Sequence, residues 1–101
     1  MPEFCTSLPS AKAGTKLTQE ELIRAIRFMI AAEYEAIGLY MQLYDSTDCK
    51  RTQTVLKDIA DEERVHVGEF LRLLHELEPS EKGFYCRGAE EVEEMLKKFQ
   101  K

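Results

Sequence analysis

The chain has 101 residues, 44% of them hydrophobic and 33% charged, which suits one small soluble domain. A net charge of -5 and scattered basic residues give no cationic surface for nucleic acid. No run approaches the roughly 18 uninterrupted apolar residues of a membrane span, and the N-terminus lacks a signal-peptide hydrophobic region, so a cytoplasmic protein is expected.

Residues 1–16 are small, polar and broken by Pro2, Pro9 and Gly14, as in a mobile N-terminal arm, which leaves 17–101 as the helical domain. Thr18 and Glu21 have the spacing of a capping box, so a first helix is expected from Gln19 to about Tyr44. Ser46, Thr47 and Asp48 form a turn and offer N-cap oxygens to a second helix that ends near Leu77, before Pro79. So short a connection makes the two helices antiparallel neighbours. Residues 80–88, with Gly83 and Gly88, read as a loop. A short third helix is expected from about Ala89 to Phe99, with Val92, Met95, Leu96 and Phe99 free to dock on a partner. Cys5, Cys49 and Cys86 are odd in number and far apart, which fits three reduced thiols and no metal-binding or redox pair.

The apolar stripe of the first helix reads Ile26, Met29, Ile30, Glu33, Ile37, Tyr40, Tyr44. That of the second reads Leu56, Ile59, Glu63, His66, Phe70, Leu73, Leu77. Both follow the three-four spacing of one helix face, and both contain ionisable groups. A buried carboxylate without a partner costs several kcal/mol, against a total domain stability of about 5–15 kcal/mol. Something must compensate Glu33, Glu63 and His66, and a Glu-x-x-His pair on one helix face can ligate one ion through a carboxylate oxygen and an imidazole nitrogen. Carboxylate-bridged di-iron bundles use one Glu from each of two helices and a Glu-x-x-His from each of the other two. This chain supplies half of that set, and two copies would complete it. Two long helices cannot enclose a core by themselves, so packing also calls for a dimer.

Duller explanations exist for each residue. Glu33 alone resembles a polar residue that sets register in a helical seam, and a lone Glu-x-x-His is common on solvated helix surfaces. Only the conjunction of three ligand-type groups in two seams favours metal. His75 lies two and a half turns beyond His66 and is expected on the opposite, solvent-facing side, while Glu35 and Glu62 are rotated off the stripes. Tyr40, two turns beyond Glu33, is within reach of a ligand for hydrogen bonding, though aromatics at this spacing are usually core.

The stretches EELIRAIRFMIAAEYEAIGLY and DIADEERVHVGEFLRLL closely resemble the encapsulated ferritins, half-length members of the ferritin-like superfamily, over Leu17 to about Leu96. The resemblance implies an all-α fold in which an antiparallel two-helix hairpin and a short C-terminal helix dimerise into a ferritin-like four-helix bundle. Dimers are then expected to form a ring, a decamer. It implies ferroxidase activity, oxidising Fe(II) to Fe(III) with dioxygen at a di-iron site shared between two subunits, with mineralisation inside an encapsulin shell. By motif position it makes Glu33, Glu63 and His66 the iron ligands and Tyr40 a residue that supports them; zinc, manganese or calcium could replace iron. Some members carry an outer metal site built from two acidic residues flanking the first ligand. Here Glu35 keeps the later position and Ala32 occupies the earlier. Cargo members usually end in a shell-targeting peptide, and some archaeal relatives are fused to the shell protein; no such tag is recognised after Phe99. Two other functions use the same residues: a rubrerythrin-like peroxidase, or a non-catalytic helical module that binds metal structurally.

Overall fold

The computed structural model describes residues 16–100, which form α1 (Gln19–Asp45), α2 (Lys50–Leu77) and α3 (Ser80–Leu96), the last continued by a 3-10 turn at Lys97–Phe99. The expected all-helical architecture is borne out, with no strand among the described residues. Apart from Lys16, the expected arm lies outside them, as does Cys5.

α1 begins as its capping box dictates. The Glu21 amide donates to Thr18 Oγ1 at 3.1 Å, and the Thr18 amide donates to Glu21 Oε1 at 2.9 Å. Glu20 and Glu21 also place negative charge where the helix dipole favours it. At the other end Ser46 Oγ donates to the Gln42 carbonyl at 2.7 Å. α2 starts later than the turn residues suggest. Its N-cap is Cys49, which makes no side-chain cap bond, while Thr47 Oγ1 accepts from the Cys49 amide at 3.2 Å. The turn is held instead by Gln53, whose amide donates to the carbonyls of Tyr44 at 3.2 Å and Thr47 at 2.7 Å. Cross-links along the hairpin run from Gln53 to Tyr44, from His66 to Glu33, and from Leu77 to Gln19, rising in one helix as they fall in the other. The helices are therefore antiparallel.

Their common core is Ile23, Ile26 and Ile30 of α1 against Val67 and Leu74 of α2, with Ile37, Phe70 and Leu77 packed around it. Continuing the three-four spacing of these residues puts Glu33 between Ile30 and Ile37, and Glu63 between Ala60 and Val67, inside the seam itself. The buried positions of α2 are Leu56, Ala60, Val67 and Leu74. Ile59, His66 and Leu73, expected in that stripe, instead sit one flank over, spaced seven apart and less deeply covered. Leu22, Met29 and Leu43 form the matching flank of α1 and are exposed. Each flank is rotated from its seam in the same helical sense. Because the helices are antiparallel, both flanks come to the same side of the hairpin.

The opposite side carries α3. Residues 80–88 are helical and not a loop, so α3 begins nine residues earlier than expected. Pro79, with φ -59°, sits at the N-cap with its φ already suitable for a helix, and Glu81 lies in the first turn. Gly83 and Gly88 each cost about 1 kcal/mol relative to Ala in a helix, which the docking of the first turns offsets. Arg27 of α1 grips Glu81 through two nitrogens, at 2.8 and 3.4 Å, and the Tyr85 hydroxyl donates to the same carboxylate. His75 meets Tyr85 edge to face with ring centroids 5.5 Å apart. Beyond this point α3 leaves the hairpin, and Val92, Met95, Leu96 and Phe99 remain exposed.

Candidate metal centre

Glu33, Glu63 and His66 meet midway along the hairpin, each offering a ligand atom within 4.8 Å of the others. Their depth differs. The side chains of Glu33 and Glu63 are 20% and 17% exposed, whereas that of His66 is 46% exposed. Seam positions account for the two carboxylates and the flank position for the imidazole. His66 Nδ1 lies 3.2 Å from Glu33 Oε2 and 3.5 Å from Glu63 Oε2, so a proton on Nδ1 stands between two carboxylates.

The electrostatics are those of a site short of positive charge. Burial raises the Glu33 pKa above its ordinary value, and the neighbouring Glu63 carboxylate raises it further, against the opposing pull of His66. Burial of the His66 imidazole works to lower its pKa, but Glu63 and then Glu33 outweigh this, and the net shift is upward. Glu63 Oε2 is buried without a hydrogen-bond partner; its 3.5 Å approach to His66 Nδ1 is an ion-pair distance and too long for a satisfying bond. Buried polar atoms in native proteins are satisfied in the great majority of cases. A divalent cation that takes oxygen and imidazole ligands would satisfy this one, and the donor set suits iron, manganese or zinc.

The remaining sequence candidates are not part of this cluster. Tyr40 is half-buried and makes no hydrogen bond to the three side chains within one chain. Glu35 and Glu62 are exposed, and Ala32 is half-buried. His75 corrects an expectation: it does face away from His66, but that side is covered by α3, and its Nε2 is buried without a hydrogen bond. Two features went unread in the sequence. The Arg27–Glu81–Tyr85 cluster joins positions 54 residues apart, and only its Glu81–Tyr85 step, at i,i+4, left a local signal. The other is a cavity of about 370 Å³ beside the triad, lined by Glu33, His66, Glu69, Phe70 and Leu73.

The sequence profile of the rubrerythrin family matches residues 20–100. The chain belongs to the rubrerythrin family. It is 39% identical to the crystal structure of the encapsulated ferritin domain from Pyrococcus furiosus, with a TM-score of 0.78 over 85% of this chain and 89% of that one. The resemblance to encapsulated ferritins expected from the quoted motifs is thereby borne out. This rubrerythrin-family chain is also 41% identical over 78 residues to the ferritin-like–encapsulin shell fusion protein of P. furiosus, matching 77% of the chain and 23% of that protein. It is 41% identical over 66 residues to the encapsulin nanocompartment cargo protein EncC of Myxococcus xanthus, matching 65% of the chain and 51% of that protein. The chain thus spans about a quarter and about half of the lengths of these relatives. Among the described residues no helix is long and apolar enough to cross a membrane.

Proposed function

We propose that this rubrerythrin-family chain is half of a ferroxidase, in which two copies bring their Glu33, Glu63 and His66 together and oxidise Fe(II). The buried, unbonded Glu63 Oε2 beside a second seam carboxylate carries this reading, because a divalent cation is the partner that such a pair lacks. Four carboxylates from two chains balance two divalent ions, so the assembled site is close to neutral. The flanks along Leu22, Met29 and Leu43 and along Ile59 and Leu73 border the site on its His66 side, and a second hairpin laid there would bury them. Packing and ligand count therefore call for the same partner, a second copy of the chain.

Ferrous ion is the substrate. Two ferrous ions each give one electron to dioxygen, which takes up two protons to leave as hydrogen peroxide. The carboxylates promote this because hard anionic oxygens stabilise Fe(III) over Fe(II). Glu33 and Glu63 must be ionised and His66 unprotonated to bind, so cation uptake displaces any proton these groups share. Tyr40, two turns from Glu33, is proposed to support a ligand once the second hairpin is in place. The relatives named as an encapsulin fusion and an encapsulin cargo protein support a cytoplasmic encapsulin compartment as the destination of the ferric product. An open assembly of hairpins, such as a ring, would need a compartment of that kind to hold mineral. A second reading, a rubrerythrin-like peroxidase that takes peroxide in place of dioxygen, would use the same three residues.

The test is anaerobic Fe(II) loading followed by oxygen or peroxide, with ferric absorbance followed in the parent and in Glu63→Ala. The parent should oxidise iron rapidly, and the variant, which lacks ligands from both halves, should lose rapid oxidation by at least about 100-fold. An unaltered rate in Glu63→Ala would remove the triad from the reaction, while a rapid reaction with peroxide alone would favour the peroxidase.

A further inference from the structure

The side of the hairpin away from His66 is only partly covered by α3. A cavity of about 480 Å³ there is bounded by Arg27, Tyr34, Leu71 and Tyr85, and a second of about 340 Å³ continues it past Tyr34 to Ile37 and Arg64. Tyr34 lines both and is 58% exposed. A Cβ added at Gly38 or Gly68 would meet nothing within 4 Å, and these positions lie one turn beyond Tyr34 and Arg64 on the same side. Together they form an open, largely apolar groove between α1 and α2, running from the foot of α3 to the middle of the hairpin. From Arg27 to Ile37 it is about 15 Å long.

α3 carries a stripe that fits this groove and cannot reach it within one chain. Its first turns are pinned through Arg27 and His75, and the helix is unbroken from Ser80 to Leu96, so its distal half cannot fold back along the hairpin. Every residue from Lys82 to Gln100 is exposed. Val92, Met95, Leu96 and Phe99 nonetheless keep the spacing of one helix face, over about 11 Å. Glu91 and Glu93 flank that stripe on either side, and neither makes an ion pair among the described residues. At the rim of the groove, Lys57 and Arg64 share the single acid Asp61, which leaves one positive charge unmatched. Length, polarity and charge of the arm therefore complement those of the groove.

We propose that the distal half of α3, through Val92, Met95, Leu96 and Phe99, lies in the α1–α2 groove of a second copy of the chain and that the second copy's arm lies in the first chain's groove. Such an exchange is two-fold, with the same patch used on both chains. It uses the side of the hairpin away from His66, so the chain paired through its arm is not the one that completes the metal site, and both partners can be held at once. The inference rests on packing and charge and is independent of the metal reading.

Photo-cross-linking of the full chain with a chelator present tests this without any metal step. Met95→benzoylphenylalanine, prepared as a mixture of unlabelled and ¹⁵N-labelled protein, should cross-link between copies to residues 31–38 or 64–71, and should do so equally when Glu63→Ala is added. Met95→Asp should weaken self-association in sedimentation at least about tenfold and leave the helical dichroism unchanged, because that side chain touches nothing in its own chain. Gly68→Glu, which places a carboxylate in the groove facing the arm's glutamates, should weaken it as well. Glu90→Gln, on the back of α3, should not. Cross-links confined to one chain, to the α3 of the other copy or to the flank of Leu22, Met29 and Leu73 overturn the proposal, as does unaltered association in Met95→Asp. Each of these results leaves the ferroxidase reading standing, which is tested by iron oxidation alone.

Discussion

Glu33 is held where its charge is least welcome. It occupies a core position between Ile30 and Ile37, and its carboxylate faces that of Glu63. Its pKa is raised above the ordinary 4.5, so its contribution to stability is fully present below that value and is lost as pH rises through the raised one. His66, raised above 6.5, behaves in the same sense at higher pH. The metal-free site therefore contributes progressively less to folding stability as pH rises. Glu33→Leu removes the repulsion and adds apolar area worth ~1.5–3 kcal/mol if fully buried, less here because the position is partly open. Without metal the variant should melt no lower than the parent. With Fe(II) present and oxygen excluded the order should reverse, because binding stabilises only the parent. Parallel shifts of the two melting curves would defeat the metal reading. Glu33, Glu63 and His66 were legible as a group because ionisable residues interrupted an otherwise apolar period. Their unequal exposure was not, because the seam runs through Ala60 and Val67 while His66 sits beside it, a distinction that only the packing angle of the helices fixes.

The three helices are not held equally. α1 and α2 share a continuous apolar seam, whereas α3 is fixed by its first two turns through Arg27, Glu81, Tyr85 and His75. The hydrogen bond from Arg27, and then that from Tyr85, lower the Glu81 pKa, so docking is stabilised above pH 4.5 and loses that support as pH falls through the depressed value. The hydrogen bond to Glu81, with burial, raises the Tyr85 pKa above 10, so its contribution persists below that value and disappears as pH rises through the raised one. Attachment of α3 should be firm between these limits. Hydrogen exchange over residues 80–88 reads it directly. Glu81→Gln should quicken exchange at neutral pH roughly fivefold, as expected for about 1 kcal/mol from a half-exposed ion pair, and should abolish the acid step of the parent. Identical exchange profiles would show that apolar contact alone holds the helix. The start of α1 and the end of α2 were readable because Thr18, Glu21 and Pro79 are strong local signals. The start of α3 is not legible locally, because Gly83 and Gly88 speak for a loop and the contact that holds this stretch comes from Arg27 on a distant helix. For the same reason the spacing gives the rotation of His75 but not its cover: nothing nearby in the sequence announces that Tyr85 packs on it.

At the scale of the molecule, one hairpin leaves much of its apolar surface unmatched, from Met29 and Leu73 on the hairpin to Val92, Met95 and Phe99 on α3. A domain of this size is hard to stabilise on one seam. Sedimentation with and without divalent cation should therefore find pairs or multiples of pairs, favoured by metal, with one pair of bound ions for every two chains. A metal-loaded monomer would contradict both the packing argument and the ligand count. Seam placement of the carboxylates has a further, genetic consequence. In the proposed site of two identical hairpins, every codon for Glu33, Glu63 or His66 would be written twice into the finished centre. A single mutation cannot adjust one cation's surroundings and spare the other's, so selection acts on both at once and the two positions stay equivalent by descent. A bundle encoded in one continuous chain is free to let its halves drift apart; a hairpin of this kind must first be duplicated.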